Sequence, residues 1–130
     1  DLRGTIAADR ILSLPLKNLL HDERIWLAQT IFHRYVGLKD KKLMSKKLLN
    51  LLSEDEKETA FAVGIGLRFL YTFSAGNPKN LDGMHLNLKN KTLICKLNSK
   101  AKILFDSNAE RRLEAFANAC NLKYEVFFDE

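Results

Sequence analysis

No run in this 130-residue chain reaches the roughly 20 apolar residues that a bilayer-spanning helix needs. The longest candidate, Ala60 to Phe73, is interrupted by Gly64, Gly66 and Arg68. A secretory leader is missing too, because the N-terminus mixes polar and apolar residues with no apolar core segment. Together these absences predict a cytoplasmic protein with no membrane partner. The first residue is Asp1 rather than Met, so further residues are expected upstream. Cysteine is scarce as well. Cys95 and Cys120 both fall on apolar-facing positions, which favours two core thiols over a disulfide.

Catalytic signatures are equally sparse. Gly64-Ile65-Gly66 lies mid-helix with no strand before it, so it is not a phosphate loop. There is no Cys-x-x-Cys and no His-Glu-x-x-His, and His21, His33 and His85 are isolated, which argues against zinc. His21-Asp22 is a literal His-Asp pair. A metal-dependent phosphohydrolase would need more His and Asp ligands on neighbouring helices, so Asp22 reads better as a helix cap. No serine stands in a nucleophile-elbow context. The acidic run Glu54, Asp55, Glu56 and Glu58 can bind a divalent cation in principle, but it also suits the positive end of a helix. No catalytic residue, metal ligand or cofactor is therefore assigned within this chain.

Positive charge is present in excess, and unevenly. Residues 1–52 hold 10 Lys/Arg and 5 Asp/Glu, a difference of +5, whereas residues 53–130 hold 11 of each. The densest run is Lys39, Lys41, Lys42, Lys46 and Lys47, opposed only by Asp40. Such a run attracts polyanions through counterion release and steering; the plainer alternative is a solvated loop. His33 and Arg34 lead into it and extend the same basic surface. Arg68, flanked by Leu67, Phe69 and Leu70, must be paired or reach solvent. It is either an ion-pair partner or a phosphate-facing group. Arg111 and Arg112 read as a solvated face.

The first 75 residues read as helical. Asp22 is expected to cap a helix over Glu23 to Val36, with Gly37 ending it. A short helix follows from about Ser45 to Leu52. Ser53-Glu54-Asp55-Glu56 fits a capping box, opening a helix that runs to Phe73 before the breaker cluster Ser74 to Pro78. Gly64 and Gly66 cost that helix about 1 kcal/mol each, so close approach of another backbone is expected there. After Pro78 the period becomes two. Met84, Leu86 and Leu88, then Leu93, Cys95 and Leu97, form a hairpin across Lys89-Asn90-Lys91. Ile103 to Phe105 reads as a third strand. Ser107 with Glu110 starts a helix with Ala109, Leu113, Phe116, Ala117 and Cys120 on one face. A last strand, Leu122 to Phe128, puts Tyr124, Val126 and Phe128 on one side. The expected fold is α+β: a helical lobe over 1–75, then a β-β-β-α-β lobe over 76–130, with the boundary at Gly76–Leu81.

Five stretches carry a family resemblance: Ile11 to Leu16, His21 to Ala28, Ile31 to Tyr35, Gly64 to Ser74 and Glu110 to Ala117. Nearly the whole chain resembles the C-terminal region of the exopolyphosphatase / guanosine pentaphosphate phosphatase family. The resemblance implies a parent hydrolase with N-terminal actin-like lobes that carry glycine loops, a catalytic carboxylate and a divalent metal (Mg). This chain would be the tail of an HD-like helical region plus a small end domain, inactive alone. The implied partners are inorganic polyphosphate, the actin-like lobes of the same protein, and a second copy in a homodimer. Lys39, Lys41, Lys42, Lys46, Lys47, Arg34, His33 and Arg68 are the candidate substrate-binding residues. A basic nucleic-acid-binding domain is the alternative. Against it, the basic run lies between helices and the strands show no exposed aromatic pair. A protein-interaction module is a third reading. The α+β lobe is expected to be mainly architectural.

Overall fold

The computed structural model describes residues 2–39 and 46–129, with the backbone alone for Lys46. Contact density divides the chain into two compact units, Asp1–Ile65 and Gly66–Glu130. The division falls inside a helix, where the sequence reading places the lobe boundary at Gly76–Leu81. The difference arises because that helix's last turns, through Phe69 and Phe73, belong to the core of the second unit.

The first unit contains α1 (Arg3–Ser13), α2 (His21–Val36), α3 (Lys46–Leu49) and the first part of α4 (Glu54–Ser74). Helices α1 and α2 pack through Ala8, Ala28 and Phe32, with Ile11, Leu12 and Val36 around them. Gly4 makes the close approach possible, since a Cβ there would stand 2.9 Å from the Val36 side chain. The cap of α2 is not Asp22. The helix begins two residues earlier than expected, at His21, and the backbone N–H of Leu20 donates to Glu23 Oε1 at 3.0 Å. Gly37, at φ 74°, ends it in the left-handed conformation. Trp26 is half-buried on α2 and lines a shallow hollow with Leu19 and Leu27.

Arg24 holds the link between α1 and α2. Its Nη1 donates to the Ile11 carbonyl at 2.9 Å and to the Leu14 carbonyl, and its Nη2 donates to the Leu16 carbonyl at 3.2 Å. A guanidinium fork fits this task, because it supplies several fixed donors to three carbonyls just where α1 ends. Arg24→Ala should lower stability by about 2 kcal/mol, the usual scale for hydrogen bonds to a charged group. A urea midpoint measures the loss, and Arg24→Lys should recover only part of it.

The expected capping box of α4 forms: Glu56 N–H donates to Ser53 Oγ at 3.1 Å, and Ser53 N–H donates to Glu56 Oε1 at 3.2 Å. At Gly64 a Cβ would meet the Thr30 carbonyl oxygen at 2.6 Å and His33 Cβ at 2.7 Å, so here a neighbouring backbone does approach. At Gly66 the near group is instead a side chain, the Phe116 ring at 2.8 Å.

The second unit follows α+β lines. After a 3-10 turn (Pro78–Gly83) come β1 (Met84–Lys89), β2 (Thr92–Leu97), α5 (Ser99–Leu104), α6 (Ser107–Ala119) and β3 (Lys123–Phe128). β1 and β2 form the expected antiparallel hairpin, with Asn90 at φ 50° and Lys91 at φ 58° in its turn. The third predicted strand is not one. Ile103 and Leu104 end helix α5, capped by the Asn98 side chain on the Ala101 N–H at 2.9 Å. Three consecutive apolar residues suit either element; here Ala101 and Leu104 turn inward while Ile103 is 85 % exposed. The cap of α6 lies one residue before the expected Ser107, at Asp106, whose carboxylate accepts from Ala109 N–H at 2.8 Å.

β3 pairs parallel to β2, in the order β1-β2-β3. The inner face of this sheet carries Met84, Leu93, Cys95 and Leu97 against Phe69, Phe73, Leu113 and Ala117. Both cysteines are free thiols. Burial pushes Cys95 up to about 11, so it is protonated and inert at neutral pH. The opposite face turns outward His85, Asn87 and Lys89 from β1 and Thr92, Ile94 and Lys96 from β2. Lys123, Glu125 and Phe127 complete it from β3.

Candidate functional site

The basic run begins where α2 stops. Gly37 turns the chain out of the helix, and Lys39 swings back toward α4. Its Nζ lies 2.8 Å from Glu58 Oε1 and 6.0 Å from the Phe61 ring centroid. Both partners remain about half exposed, at 53 % and 49 %. An ion pair this exposed contributes about 0–1 kcal/mol, so a polyanion can displace Glu58 at small cost. Lys47 is exposed on α3. Lys41 and Lys42 lie outside the described residues, as does the Lys46 side chain. Arg34 is half-buried, its guanidinium 4.3 Å over the Tyr35 ring. Arg68 is half-buried on the part of α4 in the second unit, and it has interaction partners. Lys39, Arg34 and Lys47 all belong to the first unit.

His33 stands apart from the other candidates. It is 2 % exposed, with its ring edge-on to Phe32 at 5.8 Å and to Phe61 at 5.1 Å. Its Nε2 lies 3.0 Å from Gln29 Nε2. The ring therefore does not extend a solvent-facing basic surface. Helical phase explains the placement: Ile25, Ala28, Gln29, Phe32 and His33 follow the i, i+3, i+4, i+7, i+8 stripe, all buried. That spacing is the signal in the sequence that marks His33 as internal. The counter-charge Glu58 leaves no comparable local trace, because it sits 19 positions beyond Lys39.

Burial lowers the His33 pKa below its ordinary value of 6.5, against a smaller opposing effect of the Leu38 backbone. The unfolded chain thus binds a proton at a pH where the folded chain does not. Stability contributed by this group is complete above pH 6.5 and falls as pH drops below it. Melting temperature should decline on acidification through that window. His33→Gln should flatten the decline.

Among the described residues no group of three His, Cys, Asp or Glu side chains is placed to hold a metal ion. No described helix is long and apolar enough to cross a membrane. Among the described candidates, Lys39 meets the half-exposed carboxylate of Glu58 and Lys47 is exposed. No curated protein matches the chain. A family profile does: the family described as exopolyphosphatase, C-terminal, matches residues 1–127.

Proposed function

The chain belongs to the exopolyphosphatase C-terminal family, and from that premise we propose that it is a cytoplasmic accessory domain that binds polyphosphate for a parent hydrolase. The parent would cleave terminal phosphoanhydride bonds in actin-like lobes outside this chain, with its divalent metal (Mg) held there. This chain alone would be inactive.

The observation that carries the binding reading is the confinement of all net charge, +5, to residues 1–52. A polyphosphate bears about one charge per phosphate. Lysines on flexible stems meet such a chain as point charges without demanding a fixed geometry. Lys39 and the exposed Lys47 flank the run in the sequence, and the Glu58 carboxylate beside Lys39 is weakly held.

Titration of the 130-residue chain with long-chain polyphosphate at several salt concentrations tests this. Lys41, Lys42, Lys46 and Lys47→Gln should weaken binding tenfold or more. The slope of log K against log salt should shrink by about 3, if polyphosphate releases counterions as single-stranded nucleic acid does. Unchanged binding would remove this patch from the reading.

A role in dimer formation rests on a separate observation. Leu2, Ile6, Leu14, Leu16 and Leu20 leave apolar surface exposed on α1 and on the link to α2. Leu16→Glu with Leu20→Glu should shift a sedimentation profile toward monomer if that surface joins two copies.

A further inference from the structure

We propose that the outward face of the second unit's sheet binds single-stranded nucleic acid, with Phe127 and His85 stacking on bases and Lys89, Lys96 and Lys123 contacting phosphates. The inference is independent of polyphosphate binding by the first unit.

Strand register builds the surface. His85 pairs with Lys96 and Lys96 with Phe127, so one row across the sheet reads imidazole, ammonium, phenyl. Another row reads Lys89, Thr92, Lys123. Adjacent strands lie about 4.8 Å apart, which puts the two flat rings roughly 10 Å from each other with a lysine between them. Phe127 is 48 % exposed, and His85 and all three lysines are exposed. Those lysines have no carboxylate partner among the described residues. The zero net charge of residues 53–130 therefore conceals a separation: this face carries three lysines against the single carboxylate of Glu125.

The lysine row continues into a recess at the end of the hairpin. Thr92 and Lys123 line it together with Lys91, Asn90, Asn118, Asn121 and the apolar Leu122. Amides and ammonium groups there offer donors to phosphate and both donors and acceptors to base edges. A six-residue strand spans about 20 Å, enough for two or three nucleotides, the number that a four-stranded RNA-recognition sheet stacks.

The chemistry of the row selects the occupant. Inorganic polyphosphate has no ring, so Phe127 and His85 would contribute nothing to it. A dry protein contact would need more than one large exposed apolar side chain, and on this face only Phe127 qualifies. Bases linked by phosphates use both parts: stacking is tolerant of sequence, and lysines follow the backbone.

Anisotropy titrations test the proposal with labelled ten-nucleotide RNA and DNA, an abasic ten-phosphate chain, and polyphosphate of ten phosphates. They are run on the full chain and on its Lys41, Lys42, Lys46 and Lys47→Gln form, which should still bind the oligonucleotides. The abasic chain should bind about tenfold more weakly than the oligonucleotides. Phe127→Ala should cost the oligonucleotides about tenfold and leave polyphosphate affinity unchanged. His85→Ala should act in the same direction. Lys89, Lys96 and Lys123→Gln should reduce the salt slope for oligonucleotides by about 2. Equal binding of abasic and base-bearing chains overturns the proposal, and that comparison needs no variant. So does indifference to Phe127→Ala, or loss of oligonucleotide binding when only the first unit's lysines are changed.

Discussion

Gly64→Val should destabilise the first unit by about 3 kcal/mol or more, the upper range for overpacking a closed contact. The size follows from what the new side chain meets. A Cβ at Gly64 lies 2.6 Å from the Thr30 carbonyl oxygen and 3.1 Å from the Arg34 backbone nitrogen. Neither atom can rotate away, because both belong to the backbone of α2. Thr30 is also fixed by its hydroxyl, which donates to the Trp26 carbonyl at 2.8 Å. Helix α4 or α2 must shift instead, and His33 and Phe61 would lose their ring contact with the shift. Gly66→Ala is the contrasting case. Its obstacle is the outer edge of the Phe116 ring, and the gain in helix propensity of about 1 kcal/mol opposes the clash. Urea denaturation followed by circular dichroism should show a large drop in midpoint for Gly64→Val and a small change for Gly66→Ala. Equal midpoints for the two variants would mean that α2 and α4 separate at Thr30 without cost.

Phe69→Ala should cost about 3–5 kcal/mol, the range for removing a fully buried aromatic. Phe69 is completely buried, its ring centroid 6.2 Å from that of Phe73. Both rings sit among Leu97, Leu113 and Cys95, so truncation opens a cavity that rigid neighbours on a sheet and a helix cannot fill. Phe69→Leu should retain most of the stability, because it keeps most of the volume. Equilibrium denaturation distinguishes these outcomes; a loss under about 1 kcal/mol for Phe69→Ala would contradict the packing. Phe127→Ala should by comparison leave the midpoint nearly unchanged, since its ring already faces water.

Local signals carried much of the fold in the sequence. The capping box at Ser53–Glu56 and the αL stop at Gly37 each depend on residues within one helical turn, and both are found. The alternation of Met84 to Leu97 likewise specifies the hairpin and the side facing the core. Features that depend on distant partners were less legible. Ile103 to Phe105 offered too few residues to separate a strand from a helix, and the Asn98 cap decided in favour of the helix. Asp106 and Ser107 are both good caps, and local composition did not choose between them. The parallel entry of β3 depends on how α5 and α6 cross the sheet. The row of His85, Lys96 and Phe127 exists only once that register is formed, which is why no exposed aromatic pair was apparent in the linear chain. The family itself was legible from the residue patterns. The charge of residues 1–52 can likewise be counted along the chain, whereas the Lys39–Glu58 pairing depends on how α2 and α4 come together.

Trp26 is the only tryptophan in the chain, and it lies on α2 in the first unit. Its fluorescence therefore reports on the first unit, with no label attached. Emission should red-shift early in urea for Gly64→Val. For ligands, a polyanion docking near α2 would perturb this emission directly. The molecule thus carries a built-in optical reporter on its first unit.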